Sequence, residues 1–214
     1  MPPFREYLDR FPLVAILRGL TPESAEAVGD ALAEGGFRIV EVPLNSPEPF
    51  RSIELMARRF GEEVLVGAGT VLRPGDVGRV RDAGGRLIVM PHGDTAVIGA
   101  AVEAGLACTP GVATPTEAFR ALKAGAAALK MFPAEMLPPA IVKAWRAVLP
   151  PGTLLLPVGG ITPDGMEDYV AAGADGFGLG SALFRPGATP SEVRDNARRF
   201  AVAWELIRAR KTAA

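Results

Sequence analysis

The sequence predicts an α/β chain built as a closed parallel barrel of eight strand–helix units, (β/α)8, led by a short N-terminal helix. Three observations point there. Short apolar runs alternate with helical patterns along the whole chain, at intervals of roughly 20–27 residues. Four of the helical patterns stop on one cue, alanine then glycine: Ala83-Gly84, Ala104-Gly105, Ala124-Gly125 and Ala172-Gly173. No glycine-rich dinucleotide loop follows the first apolar run, which favours the barrel over an open, doubly wound sheet. No linker or low-complexity segment interrupts the pattern, so residues 1–214 read as one domain.

In order, a short helix over 3–10 leads into Phe11 and Pro12. The run 13–19 is apolar until Arg18 and ends at Gly19, a buried-strand signal. Thr21 followed by Pro22 reads as a hydroxyl N-cap with proline in the first helical position, and that helix stops at Gly35-Gly36. Further strands are expected at 39–44, 64–71, 87–91, 106–109, 127–132, 154–158 and 176–180. Helices are expected at 47–60, 74–83, 94–104, 116–123, 138–148, 163–172 and 190–209. Strands that alternate with helices pair in parallel through right-handed crossovers.

Composition narrows the function classes. Hydrophobic residues make up 49%, enough for a substantial core, and the formal net charge is −1. That charge gives no reason to expect nucleic acid or an anionic membrane as partner. The one cysteine, Cys108, forms no internal disulfide, which fits a reducing compartment. No apolar stretch approaches the roughly 20 residues of a membrane span, and the start lacks the basic-then-apolar layout of a signal peptide. A soluble, cytoplasmic protein is expected. One histidine and one cysteine exclude a site of several His or Cys metal ligands.

The candidate chemistry lies in polar residues late in apolar runs. Lys130 lies in the apolar stretch A-A-L-K-M-F-P over 127–133, and an unpaired buried ammonium is costly. At period two, Arg18 shares a face with Ile16, Glu41 with Ile39, Thr70 with Ala68 and Lys130 with Ala128. In a parallel barrel these residues converge on the mouth at the C-terminal strand ends. A buried ion-pair network that only holds the barrel together is the competing structural explanation. V-G-G-I, residues 158–161, ends the seventh run, and G-L-G-S, residues 178–181, ends the eighth. Loops after those strands often bind phosphate through backbone N–H groups. Ser181 adds a hydroxyl donor.

Together these groups suggest a reaction. An unprotonated lysine condenses with a ketone to a Schiff base, and the iminium lets a neighbouring carbon–carbon bond open. A carboxylate such as Glu41 moves the proton, and arginine matches a substrate carboxylate. The implied substrate is a small molecule, a phosphorylated 2-keto acid, and no metal or cofactor is needed. Whether burial and Arg18 outweigh Glu41 in lowering the proton affinity of Lys130 depends on distances.

Over about residues 12–205 the sequence resembles the class I 2-keto-3-deoxy-6-phospho-sugar-acid aldolases. The resemblance rests on L-V-A-I-L-R-G, I-V-E-V-P-L-N-S, V-G-A-G-T-V-L, A-L-K-M-F-P-A-E, P-V-G-G-I and G-L-G-S. It implies the eight-fold barrel, a homotrimer, Lys130 as Schiff-base lysine and Glu41 as general acid/base. It also implies Arg18 and Thr70 on the pyruvate side, with Pro91 and Phe132 lining the pocket. Gly160, Gly180 and Ser181 resemble the phosphate-binding positions, and Gly159 belongs to the same loop. Within the family, L-R-G, P-L-N-S (43–46) and V-G-G, with Val158 where the phosphogluconate branch usually has threonine, are similar to the phosphogalactonate branch. The C4-epimeric phosphogluconate substrate, an isomerase or epimerase using Glu41 without a covalent step, and a non-catalytic sugar-phosphate-binding barrel are the competing readings. His92 is expected as a solvated loop residue, and Cys108, Trp145 and Trp204 as packing or contact residues.

Overall fold

The structure is a computed structural model that describes residues 4–213. Pro3, the first residue of the expected N-terminal helix, lies outside them. Helix α1 (Phe4–Arg10) precedes β1 (Leu13–Ile16). There follow α2 (Pro22–Glu34), β2 (Ile39–Pro43), α3 (Pro49–Phe60), β3 (Leu65–Gly69), α4 (Pro74–Asp82), β4 (Leu87–Val89) and α5 (Thr95–Glu103). The second half comprises β5 (Ala107–Thr109), β6 (Gly111–Val112), α6 (Pro115–Lys123), β7 (Leu129–Met131), α7 (Pro139–Arg146), β8 (Leu155–Pro157), α8 (Met166–Ala171), β9 (Phe177–Leu179) and α9 (Pro190–Ala213).

All strand pairs among the described residues are parallel, in the orders β5-β4-β3-β2-β1-β9 and β6-β7-β8. The result is an α/β fold with a curled parallel sheet. The expected fifth strand continues beyond Thr109 as β6 and is broken at Pro110, which has no N–H to give to a ladder. A parallel bridge joins Val158, the residue after β8, to Gly178 of β9.

Strands in such a sheet are buried on both faces, so side chains sort into two apolar layers. Val14, Ile39, Leu65, Leu87, Ala128 and Leu156 share the inner layer with Phe4, Tyr7 and Leu8 of α1. Leu13, Ala15, Val40, Val42, Leu129 and Met131 pack in the outer layer with the helices. The period-two pattern holds on β1, β2 and β7. On β3 it needs correction: Ala68 packs in the outer layer, so Gly67 and Gly69 take the inward positions. A Cβ on Gly67 would fall 2.1 Å from the Leu87 carbonyl oxygen, so only glycine lets β3 run that close to β4.

The helix boundaries follow local chemistry. Gly84, Gly105, Gly125 and Gly173 have φ of 83°, 72°, 101° and 106°, the left-handed conformation of a helix-ending glycine. Thr21 occupies the N-cap of α2, yet its hydroxyl caps no backbone N–H and instead lies 3.3 Å from the Ser24 hydroxyl. Helix α3 starts at Pro49 rather than Pro47, because Glu48 turns left-handed at φ 38°. The expected helix at 163–172 opens as a 3-10 turn, Pro163–Gly165, before α8. Among the described residues no helix is long and apolar enough to cross a membrane.

Candidate active site

Lys130 is the middle residue of β7, between two side chains of the outer layer, so its own side chain points inward. Its Nζ lies 3.9 Å from Glu41 Oε1, with side-chain exposures of 9% and 1%. The ring centroid of Phe132 is 5.1 Å from the same nitrogen. Glu41 enters from the middle of β2, opposite Gly67 of β3. Its Oε2 occupies the space over Gly69, where a Cβ would fall 1.2 Å away. That oxygen has no hydrogen-bond partner among the described residues.

Electrostatics follow from this burial. Loss of hydration pushes the Lys130 amine below its ordinary 10.5; the Glu41 carboxylate opposes that shift and Arg18 adds to it. Burial also raises the Glu41 carboxyl above 4.5, against the cations of Lys130 and Arg18. In both groups desolvation is the largest effect, so the neutral forms gain. On Lys130, burial and Arg18 act together against the carboxylate, and the net direction is downward.

Arg18 follows β1. Its Nη1 donates to Asn45 Oδ1 at 2.7 Å, and its Nη2 makes a long contact of 3.5 Å with Thr70 Oγ1. Thr70 reaches the site by a route that alternation misses. Ala68 faces the helices, so a regular strand would turn Thr70 outward as well. Instead Thr70 has φ 53°, a strained conformation for a β-branched residue, and its side chain joins the cavity.

A cavity of about 540 Å³ opens at the C-terminal strand ends. Arg18, Thr70, Pro91, Lys130 and Phe132 line it, as do Val158, Gly159, Gly160, Gly180 and Ser181. Gly159 and Gly160 have φ of 114° and 62°, so the loop after β8 turns sharply there. Glu41 alone of the expected residues is not in that lining. It borders a small interior space beneath, shared with Lys130, Val158 and Thr109. His92 is exposed, and burial pushes the Cys108 thiol up to about 12. Among the described residues no group of three or more His, Cys, Asp or Glu could hold a metal ion.

Four residues at the site escape single-residue reading. Asn45 and Ser46 lie in P-L-N-S, a segment that carries the family resemblance but assigns neither residue a role. Glu135 ends A-L-K-M-F-P-A-E, and its carboxylate lies against the glycine loop: a Cβ on Gly159 would fall 2.3 Å from its Oε2. Arg185 lines the cavity and donates through Nε to the Ser181 carbonyl at 3.1 Å. Its one sequence signal is a positive charge four residues after the serine of G-L-G-S.

Residues 5–197 match the model of an aldolase family described as KDPG and KHG aldolase. The chain belongs to that family. The aldolase is 48% identical over 196 residues to a protein of Rhizobium meliloti (strain 1021) named probable 2-dehydro-3-deoxy-6-phosphogalactonate aldolase, covering 92% of each chain. It is 43% identical over 199 residues to the 2-dehydro-3-deoxy-6-phosphogalactonate aldolase of Escherichia coli (strain K12), covering 93% of this chain and 97% of the other. A solved structure described as native KDPGal superimposes with a TM-score of 0.91 at 43% identity, over 92% of this chain and 96% of that one. Aldolases are carbon–carbon lyases.

The raised Glu41 carboxyl has a consequence for stability. Above pH 4.5 the folded aldolase holds this proton more tightly than the unfolded chain, so its contribution is full below that pH and is lost as pH rises through the folded value. Glu41→Gln, which is neutral at every pH, is expected to gain stability relative to wild type at pH 8, with the gain shrinking toward pH 4. Urea unfolding midpoints at the two pH values measure it.

Proposed function

We propose that the chain is a class I aldolase that cleaves 2-dehydro-3-deoxy-6-phosphogalactonate, reversibly, to pyruvate and D-glyceraldehyde 3-phosphate. The observation that carries this reading is the buried Lys130 amine, lowered in proton affinity and 3.9 Å from the buried Glu41 carboxyl. Lys130 Nζ adds to the C2 ketone, and loss of water leaves an iminium. Glu41 takes the proton of the C4 hydroxyl while the C3–C4 electrons move into the iminium. The aldehyde departs and an enamine remains. Glu41 returns that proton to C3 of the enamine, and addition of water to the resulting iminium releases pyruvate and restores the amine.

Arg18 and Thr70 receive the carboxylate of the keto acid, and Pro91 and Phe132 wall the pyruvate end. The phosphate lies against the N–H groups of Gly159, Gly160 and Gly180 and the Ser181 hydroxyl. Arg185 adds a cation there: its Nε is tied to Ser181, and among the described residues it makes no ion pair. Val158 lines both the cavity and the interior space beside Glu41, where the configuration at C4 is felt. The names of the two relatives and the P-L-N-S and V-G-G segments support the phosphogalactonate substrate over its C4 epimer.

The same reading takes β5 and β6 as one strand and the Val158–Gly178 bridge as the join between β8 and β9. Eight strands then close a (β/α)8 barrel in a single domain, working as a homotrimer in the cytoplasm on a small-molecule substrate.

Borohydride added with pyruvate is expected to leave a reduced pyruvyl adduct on Lys130, read by peptide mass. Lys130→Ala is expected to form none and to lose turnover by at least about a thousandfold. Substantial turnover in that variant, or no adduct in wild type, would favour an isomerase or a binding protein. Val158→Thr is expected to shift turnover toward the phosphogluconate epimer. Relative turnover on the two epimers measures this, and an unchanged ratio removes Val158 from the choice.

A further inference from the structure

Arg18 and Gly19 form the turn that leaves β1, and two consecutive residues of the next strand–helix loop hold them. Arg18 Nη1 donates to Asn45 Oδ1 at 2.7 Å, and the Gly19 N–H donates to Ser46 Oγ at 2.9 Å. One bond fixes the guanidinium and the other fixes the backbone beneath it. Ser46 is itself anchored: it is 8% exposed, and its N–H donates to the Pro43 carbonyl at 2.9 Å. Gly19 has φ 83°, and a Cβ on it would fall 2.7 Å from Pro186 Cγ, so the held turn also lies tight against the loop after β9.

Arginine side chains carry much rotamer entropy, and a free one loses it on binding an anion. A guanidinium already held by one nitrogen loses less and keeps other N–H donors for the ligand. We propose that Asn45 and Ser46 are positioning residues, a two-point clamp that pre-sets Arg18 to receive the carboxylate of the keto acid. The proposal rests on the reading of Arg18 as the carboxylate ligand. It makes L-R-G and P-L-N-S, two separate segments of sequence, one physical unit.

A turn that served only stability would leave the enzyme indifferent to whether its ketone carries a carboxylate. The clamp would not. In the full-length protein, the rate of borohydride trapping on Lys130 is measured at low concentrations of pyruvate and, separately, of acetone, a ketone without a carboxylate. Asn45→Ala, at an exposed position where folding is little affected, is expected to slow pyruvate trapping about tenfold, in keeping with one hydrogen bond to a charged group. Acetone trapping is expected to stay unchanged. Ser46→Ala is expected to do the same, and Ser46→Thr, which keeps the hydroxyl, to restore the rate. Pyruvate trapping unchanged in Asn45→Ala, or slowed equally for both ketones, overturns the clamp while leaving the aldolase reading intact. A wild-type protein that traps no pyruvate overturns both.

Discussion

An amine and a carboxyl group 3.9 Å apart, both nearly sealed from water, set the terms for the rest of this molecule. Two buried charges lose more hydration than their attraction readily returns, so such a pair persists only where the surrounding fold is stable without it. Here the two apolar layers of the curled sheet supply that stability. Phe4, packed in the inner layer with Tyr7 and Leu8, lines the small interior space that Glu41 and Lys130 border. The same burial lowers the proton affinity of Lys130 and raises that of Glu41, so one constraint acts on both groups.

The other unusual features of the chain serve that pair or face it. Gly69 leaves room for Glu41 Oε2, and Gly67 lets β3 close on β4. Thr70 holds a backbone conformation that costs on the order of 1–3 kcal/mol, and in return it stands beside Arg18 at the cavity. Charges of opposite sign border the glycine loops: Glu135 lies against Gly159 and Gly160, while Arg185 is tied to Ser181. A dianionic ligand there would draw on the cation and on the N–H groups, and would meet the carboxylate as a boundary.

Much of this was legible in sequence, for identifiable reasons. Alternating runs and Ala-Gly stops marked the parallel α/β order, because strand and helix periods and left-handed glycines are local properties. Lys130, Glu41 and Arg18 stood out as polar residues late in apolar strands. Thr70 was picked out by a face argument that the structure overturns, since a left-handed backbone rather than alternation carries it to the cavity. The short strand β6, which follows the expected strand at 106–109 across Pro110, was not expected, and Thr21 held its N-cap place without making the cap. Asn45, Ser46, Glu135 and Arg185 were invisible one at a time. Their meaning lies in contacts between loops that are distant in sequence, as in the 27-residue separation of Arg18 and Asn45.

The proton affinity of Lys130 bears most directly on all of this. It can be followed by NMR titration of the lysine ε-carbon signals, with Lys130 assigned by its loss in Lys130→Ala. A midpoint below 10.5 is the predicted result, because burial and Arg18 together outweigh the pull of Glu41. A midpoint at or above 10.5 would mean that the amine stays charged at neutral pH, and it would contradict the covalent mechanism.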